Sequence, residues 1–184
     1  MKVAAALVAA LILWVAVPAQ AQLSNTTNPD LQFAARAASS GHAEIEMGRL
    51  ALSKSKRDDV HHFAQRMIDD HGKVDQQLAS LATHQHLRLP KQPLGADAAA
   101  VTRLAALSGA EFDRAYAAQM VQDHQKTLRD FETEAAHGGV PPIKTLATVT
   151  APLLLEHLKM AEELHRAVGE EKAQLPQERS PGNH

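Results

Sequence analysis

The sequence of 184 residues contains no cysteine. This absence excludes a scaffold held by disulfides and attachment to lipid through an N-terminal cysteine. Aromatic residues make up only 3% of the chain, whereas alanine and leucine, which are strong helix formers, are abundant. The composition therefore favours helices that pack closely on one another over strands.

Charge and catalytic motifs are also sparse. The formal net charge is −2, so the composition indicates no nucleic-acid-binding surface. The chain has no glycine-rich phosphate loop and no nucleophile elbow, which removes two common routes to catalysis. We predict no catalytic residues, and the sequence does not identify protein partners or an oligomeric state.

Long apolar runs are confined to the N-terminus. Lys2 precedes an apolar stretch from Val3 to Val17, and the small-residue motif Ala19-Gln20-Ala21 follows, as in a secretory signal. The stretch is shorter than the roughly 20 residues of a membrane span. We expect residues 1–21 to be a signal peptide cleaved after Ala21, giving a periplasmic protein with no transmembrane segment; an uncleaved anchor is the alternative.

The remaining chain predicts an all-α fold in which residues 22–168 form one four-helix bundle and residues 169–184 a disordered polar tail. Four long segments each carry one apolar stripe, which a bundle would bury. Ser55 or Asp58 could cap the second helix, and Ser108 with Glu111 fits a capping box at the third. The predicted helices run from Pro29 to about Lys54, from about Asp58 to His86, from Ala96 to Leu107 as a short connecting helix, from Ser108 to Gly138, and from Pro141 to Val168.

Three of the apolar stripes contain a single histidine. The segment FAQRMIDDHGK, which contains His71, returns 53 positions later as YAAQMVQDHQK, which contains His124. His157 occupies the matching position of the fourth helix, and Glu44 lies near the middle of the first. Because the midpoints of bundle helices share a level, we expect these four side chains to lie in one layer. They could bind a metal ion together.

Methionines recur beside this layer. Met67 and Met120 precede His71 and His124 by one turn, and Met160 follows His157 by almost one turn. Imidazole and thioether together suit copper, so copper or another transition metal is the predicted cofactor. Methionine is also an ordinary filler of irregular cores, and that interpretation stays open.

An acid immediately precedes each inward histidine: Asp70, Asp123 and Glu156. Adjacent residues of a helix point about 100° apart, so each acid could reach a histidine only on a neighbouring helix. We predict that these acids orient the metal-binding histidines by hydrogen bonds. Exposed flanking charges are the alternative.

Two other interpretations bear on the same residues. The inward histidines and acids could form a buried hydrogen-bond network without metal, in an envelope or stress-related interaction module. A carboxylate-bridged di-iron centre would instead need Glu three positions before its histidines. Ile68, Val121 and Leu154 stand there, so we do not expect oxygen-activating di-iron chemistry.

Four stretches occur in the order SGHAEIEMGRLAL, VHHFAQRMIDDHGK, LSGAEFDRAYAAQMVQDHQKTLRDFETEA and APLLLEHLKMAEEL. Over residues 31–164 the chain resembles the bacterial family catalogued as domain of unknown function 4142. The resemblance implies export and a ferritin-like helical bundle, and it implies no activity. The positions that match the family pattern are Glu44, Gly48, Asp70, His71, Phe112, Asp113, Tyr116, Asp123, His124, Pro152, Glu156 and His157.

Overall fold

The computed structural model describes residues 28–174, in which all regular secondary structure is helical and no strand occurs. The all-α prediction is therefore confirmed. The expected signal peptide, residues 1–21, lies outside the described residues, as do residues 175–184 of the expected tail. The helices are α1 (Pro29–Lys54), α2 (Asp58–His84), α3 (Gly95–Ala105), α4 (Gly109–His137) and α5 (Pro141–Gln174).

The last helix is longer than the sequence predicted. We expected a disordered tail from residue 169, but α5 continues to Gln174. Gly169 costs a helix only about 1 kcal/mol, and the Glu-Glu-Lys-Ala-Gln run that follows consists of strong helix formers. Pro152 also lies inside α5.

Two predicted caps do not form. The N-cap residue of α2 is Arg57 rather than Ser55 or Asp58, although Ser55 Oγ accepts a bond from the Arg57 backbone N–H at 3.1 Å. Ser108 occupies the N-cap position of α4, but its side chain makes no capping bond. Gly109 has a positive φ of 56°, so the chain leaves Ser108 without the turn that a capping box requires.

The four long helices form a closed ring of contacts. Helix α1 packs on α2, α2 on α5, α5 on α4, and α4 on α1, while α3 lies against α1 and α4. Asp30 at the start of α1 fastens the turn between α4 and α5, because its Oδ2 accepts bonds from the N–H groups of Gly139 at 2.8 Å and Val140 at 2.5 Å. The result is a helical bundle.

Helix α1 approaches α2 closely at Gly48. A Cβ atom at this position would lie 2.9 Å from Ile68 Cγ1 and 3.1 Å from the Ala64 carbonyl oxygen. A residue without a side chain is needed for this approach. Gly41, two turns earlier, is different: a Cβ atom there would have no neighbour within 4 Å.

The core consists of two apolar clusters. The methionine cluster contains Met47, Met67, Met120, Phe63, Phe112 and Tyr116, with Met160 packed against it. The leucine cluster contains Phe33, Leu78, Leu128, Phe131, Leu146 and Leu154. On each of α2, α4 and α5, one buried histidine separates the residues of one cluster from those of the other. The polar layer of the bundle lies at this boundary.

Candidate metal centre

Three buried histidines converge at the boundary between the clusters. Each is supplied by a different helix: His71 by α2, His124 by α4 and His157 by α5. One ring nitrogen from each lies within 4.8 Å of the others, and the side chains are only 6%, 1% and 1% exposed. We call these residues the histidine triad.

Hydrogen bonds fix the tautomers of two triad histidines. His124 Nδ1 lies 2.8 Å from the carbonyl oxygen of Met120. A carbonyl only accepts, so Nδ1 carries the hydrogen and Nε2 keeps its lone pair. His157 Nε2 lies 3.2 Å from Asp70 Oδ2 and donates to that carboxylate, which leaves the lone pair on Nδ1. This Nδ1 is buried and has no hydrogen-bond partner. Each of these two rings thus has one nitrogen that carries no hydrogen.

The distance between two triad nitrogens fits a shared ion. His71 Nε2 and His124 Nε2 are 3.4 Å apart. Two nitrogens that each lie about 2.0 to 2.1 Å from one tetrahedral ion are about 3.3 to 3.4 Å apart. The same distance also permits a weak hydrogen bond from one imidazole to the other. The geometry therefore suits an ion without requiring one.

Burial keeps the triad neutral. It lowers the pKa of His124 to about 4 and the pKa of His71 well below its ordinary value, where the nearby rings of His124 and His157 lower it further. Burial also lowers the pKa of His157, against the opposing effect of Asp70. Neutral imidazole is the form that binds metals, so at neutral pH the triad is ready to act as a ligand set.

Asp70 connects the triad to the surface. Its carboxylate accepts bonds from Arg66, from Lys73 at 2.9 Å and from His157 at 3.2 Å. Burial alone would raise the pKa of Asp70, but these three bonds outweigh it and lower the pKa. The carboxylate is therefore ionised when it holds His157, as in the carboxylate–histidine pairs that orient metal ligands.

Arg66 and Lys73 were not predicted as partners of Asp70, although their spacing from it along α2 could have indicated both contacts. They lie four residues before and three residues after Asp70 on the same helix, and residues at these spacings are neighbours on a helix surface. A search for the partners of Asp70 along its own helix would have found both.

The other two acids have different partners. Both carboxylate oxygens of Asp123 accept bonds from Gln119 Nε2 at 2.8 Å. Glu156 is largely exposed and pairs with Arg66 at 3.5 Å. Among the bonds of the described residues, Asp70 alone of the three acids reaches a triad histidine. The prediction that Asp123 and Glu156 bond to histidines is therefore wrong, because each points to a partner along or outside its helix.

Glu44 lies beside the triad, where burial raises the pKa of its carboxyl group and favours the protonated form. Its Oε1 is 3.9 Å from His124 Nδ1, and its buried Oε2 has no hydrogen-bond partner. Burial raises the pKa of Glu44 well above its ordinary value, and the charges of Asp123 and Asp97 raise it further. The buried hydroxyl of Tyr116 also has no partner. This side of the layer thus contains polar atoms that the protein leaves unsatisfied.

The predicted methionine ligands lie in the methionine cluster. Met67 and Met120 are fully buried there, and Met160 is partly buried against it. All three side chains therefore lie on one side of the boundary that the triad occupies. This arrangement supplies thioethers next to the layer without assigning any of them as a ligand.

Comparison with known proteins identifies the family. The profile of the family described as "Domain of unknown function (DUF4142)" matches residues 15–164. The chain belongs to the DUF4142 family. The DUF4142 match includes all three triad histidines as well as Glu44 and Asp70. No curated protein matches the sequence.

Two solved structures share the fold of this DUF4142 protein. One comes from Streptomyces coelicolor and is described as a secreted protein of DUF305; it has 15% sequence identity and a TM-score of 0.66, with 85% of this chain and 97% of that chain covered. The other is a conserved hypothetical protein from Mycobacterium tuberculosis, with 17% identity and a TM-score of 0.57 over 84% of this chain and 97% of that chain. Over residues 28–174, none of the helices of the DUF4142 protein is long and apolar enough to cross a membrane.

Proposed function

We propose that this protein binds a transition-metal ion through His71, His124 and His157. The observation that carries the proposal is the convergence of one nitrogen from each histidine within 4.8 Å in a buried, neutral layer. Two of these rings have their hydrogens committed to Met120 and Asp70. A lone pair that faces the interior without a donor costs free energy, which an ion would recover.

Copper is the first candidate ion. Imidazole binds copper, zinc, iron and nickel, whereas thioethers favour copper in its reduced form. Met67 and Met120 lie one turn from triad histidines in the adjoining cluster. Glu44 supplies an oxygen next to His124 and could complete the ligand set once it loses its proton. The proposed site combines these groups in a ferritin-like four-helix bundle.

We further propose that the protein is exported to the periplasm. Residues 1–21 have the charge, apolar stretch and small-residue motif of a signal peptide. The structural relative from Streptomyces coelicolor is described as secreted, which is consistent with export. N-terminal sequencing of the protein from a periplasmic extract tests this proposal; a chain that still begins at Met1 would contradict it.

The metal proposal is tested on untagged protein. We expect close to one equivalent of copper or zinc after reconstitution and gel filtration, measured by elemental analysis. The variant His71→Gln/His124→Gln should retain less than about a tenth of an equivalent. His84→Gln is the matched control, because His84 is exposed at the end of α2 and bonds only to the Ser80 carbonyl oxygen.

Melting temperature separates this proposal from a metal-free network. The bond between His157 and Asp70 and the 3.4 Å approach of His71 to His124 would also support a purely structural polar layer. Metal at about 100 times its dissociation constant should stabilise the protein by about 2.7 kcal/mol. A melting temperature unchanged by copper and zinc, together with no retained metal, would leave only the structural role.

A further inference from the structure

A narrow cavity reaches the histidine triad from one side. It lies among α1, α2, α4 and α5, and its walls include Ser40, Gly41, His71, Thr127, Thr150 and His157. The two histidines are buried, whereas Ser40, Gly41 and Thr127 are partly exposed. The cavity therefore extends from the triad towards the surface beside α1.

The cavity touches the triad asymmetrically. His71 and His157 form part of its wall, but His124 and Glu44 do not. The remaining wall includes Leu78 and Phe131 of the leucine cluster. On one side, the polar layer is thus closed by His124, Glu44 and the methionine cluster. On its other side, the layer borders the cavity.

The size and lining of the cavity limit what it could hold. It offers about 10 Å³ to the centre of a water molecule, which is about the minimum for one water. Hydroxyl groups of Ser40, Thr127 and Thr150 lie along it, and the first two oxygens are 3.4 Å apart. A ligand of one non-hydrogen atom fits, and the hydroxyls could donate hydrogen bonds to an anion.

We propose that a metal ion in the histidine triad keeps one coordination position open towards this cavity and exchanges a small external ligand there. The inference rests on the proposed metal site and goes beyond it. Storage and structural sites are closed by protein ligands, whereas sites that react with external molecules have an open position. The asymmetry of the layer favours the second class, with water, hydroxide and monatomic anions such as fluoride as the ligand class.

Gly41 provides a way to close the cavity without touching a triad residue. It lines the cavity, and a Cβ atom there would meet nothing within 4 Å. A leucine at this position therefore has room for its first carbon atom, and its larger side chain would cover the mouth of the cavity beside α1. Leucine is also a better helix former than glycine. Gly72→Leu is the matched control, because a Cβ atom at Gly72 also meets nothing within 4 Å and Gly72 does not line the cavity.

The experiment uses the full chain loaded with copper(II), which nitrogen and oxygen sites bind most tightly among the first-row divalent ions. Metal content is measured first, and fluoride is then titrated while the electron paramagnetic resonance spectrum of the copper is recorded. The wild-type protein and Gly72→Leu should show a saturable change. Gly41→Leu should keep its copper, but its affinity for fluoride should fall at least tenfold, while Gly41→Ala should fall between the two.

The possible results of this titration distinguish a failure of the open coordination position from a failure of the metal site. Copper that binds stoichiometrically but does not respond to fluoride would overturn the open position and leave the metal site intact. An equal fluoride response in Gly41→Leu and wild type would also overturn the inference, because the ligand would then enter elsewhere. Failure to bind copper would overturn this inference, and failure to bind zinc as well would overturn the proposed metal site. Melting curves of both leucine variants establish that each is folded.

Discussion

Replacing Glu44 with glutamine should make the metal-free protein more stable, by an amount that grows with pH. Glu44 is 2% exposed, and its Oε2 has no hydrogen-bond partner. Glutamine has nearly the same size and cannot ionise. The substitution therefore removes the proton equilibrium of this side chain while leaving its volume in place.

The magnitude follows from the protons that each state binds. Burial raises the pKa of Glu44 well above 4.5, so above pH 4.5 the folded protein holds a proton that the unfolded chain releases. Stability then falls by about 1.4 kcal/mol per pH unit for as long as the folded carboxyl stays protonated. Because Glu44→Gln lacks this loss, its advantage over wild type should increase by about 2 kcal/mol between pH 4.5 and pH 6.5 while the folded carboxyl stays protonated.

The assay is urea denaturation of both proteins at pH 4.5, 5.5 and 6.5, in the presence of a chelator. Glu162→Gln, an exposed position of α5, controls for the effect of glutamine outside the core. A difference between Glu44→Gln and wild type that stays constant over this pH range would refute the reasoning, since Glu44 would then be ionised in the folded protein.

Three other substitutions test the contacts that hold the site and the helices. Asp70→Asn should lower metal affinity about 10-fold to 100-fold, measured by competition with a chelator, because His157 loses its carboxylate acceptor. Gly48→Ala should destabilise the protein by about 1 to 3 kcal/mol through overpacking, whereas Gly41→Ala should stabilise it by up to about 1 kcal/mol; chemical denaturation measures both. Asp30→Ala should cost about 1 kcal/mol in the same assay, because two partly exposed N–H groups of the turn lose their acceptor.

Each of these three predictions would be contradicted by a different result. Unchanged metal affinity in Asp70→Asn would show that the carboxylate does not position the ligand ring. Equal effects of alanine at Gly41 and Gly48 would mean that α1 and α2 are not in close contact at Gly48. A neutral Asp30→Ala would show that water replaces the acceptor at the turn between α4 and α5.

The faces of the helices could be predicted from the sequence because periodicity depends only on one helix at a time. His71, His124 and His157 each interrupt an apolar stripe with a spacing of three or four residues, and such a stripe faces the core. The structure buries all three.

Contacts between helices could not be predicted in the same way. An error of a few residues in a helix end moves a side chain by about 5 Å along the bundle, which is the same size as the separation between the triad nitrogens. The rotation of each helix adds a second uncertainty. Asp70 and Asp123 have the same position relative to a histidine in sequence, yet one bonds to His157 and the other to Gln119. Only the neighbouring helix decides between them.

The ends of the helices could not be predicted from single motifs, because they also depend on the helix propensities and backbone angles of the neighbouring residues. Gly169 was interpreted as the start of a tail, but the residues after it favour a helix and α5 extends to Gln174. Ser108 and Glu111 matched a capping box, but the positive φ of Gly109 prevents its geometry. In each case the neighbouring residues, rather than the single motif, determine the helix terminus.

The position of the polar layer between two apolar clusters also restricts how the helices can align during folding. A helix that slipped along its neighbours by one turn would move its side chains by about 5.4 Å. Its histidine would then enter the methionine or leucine cluster, and its former partners would lose it. An apolar core without these histidines would oppose such a slip less, since no buried polar side chain would lose its partners. The triad therefore gives the bundle a single favourable alignment, whether or not an ion is bound.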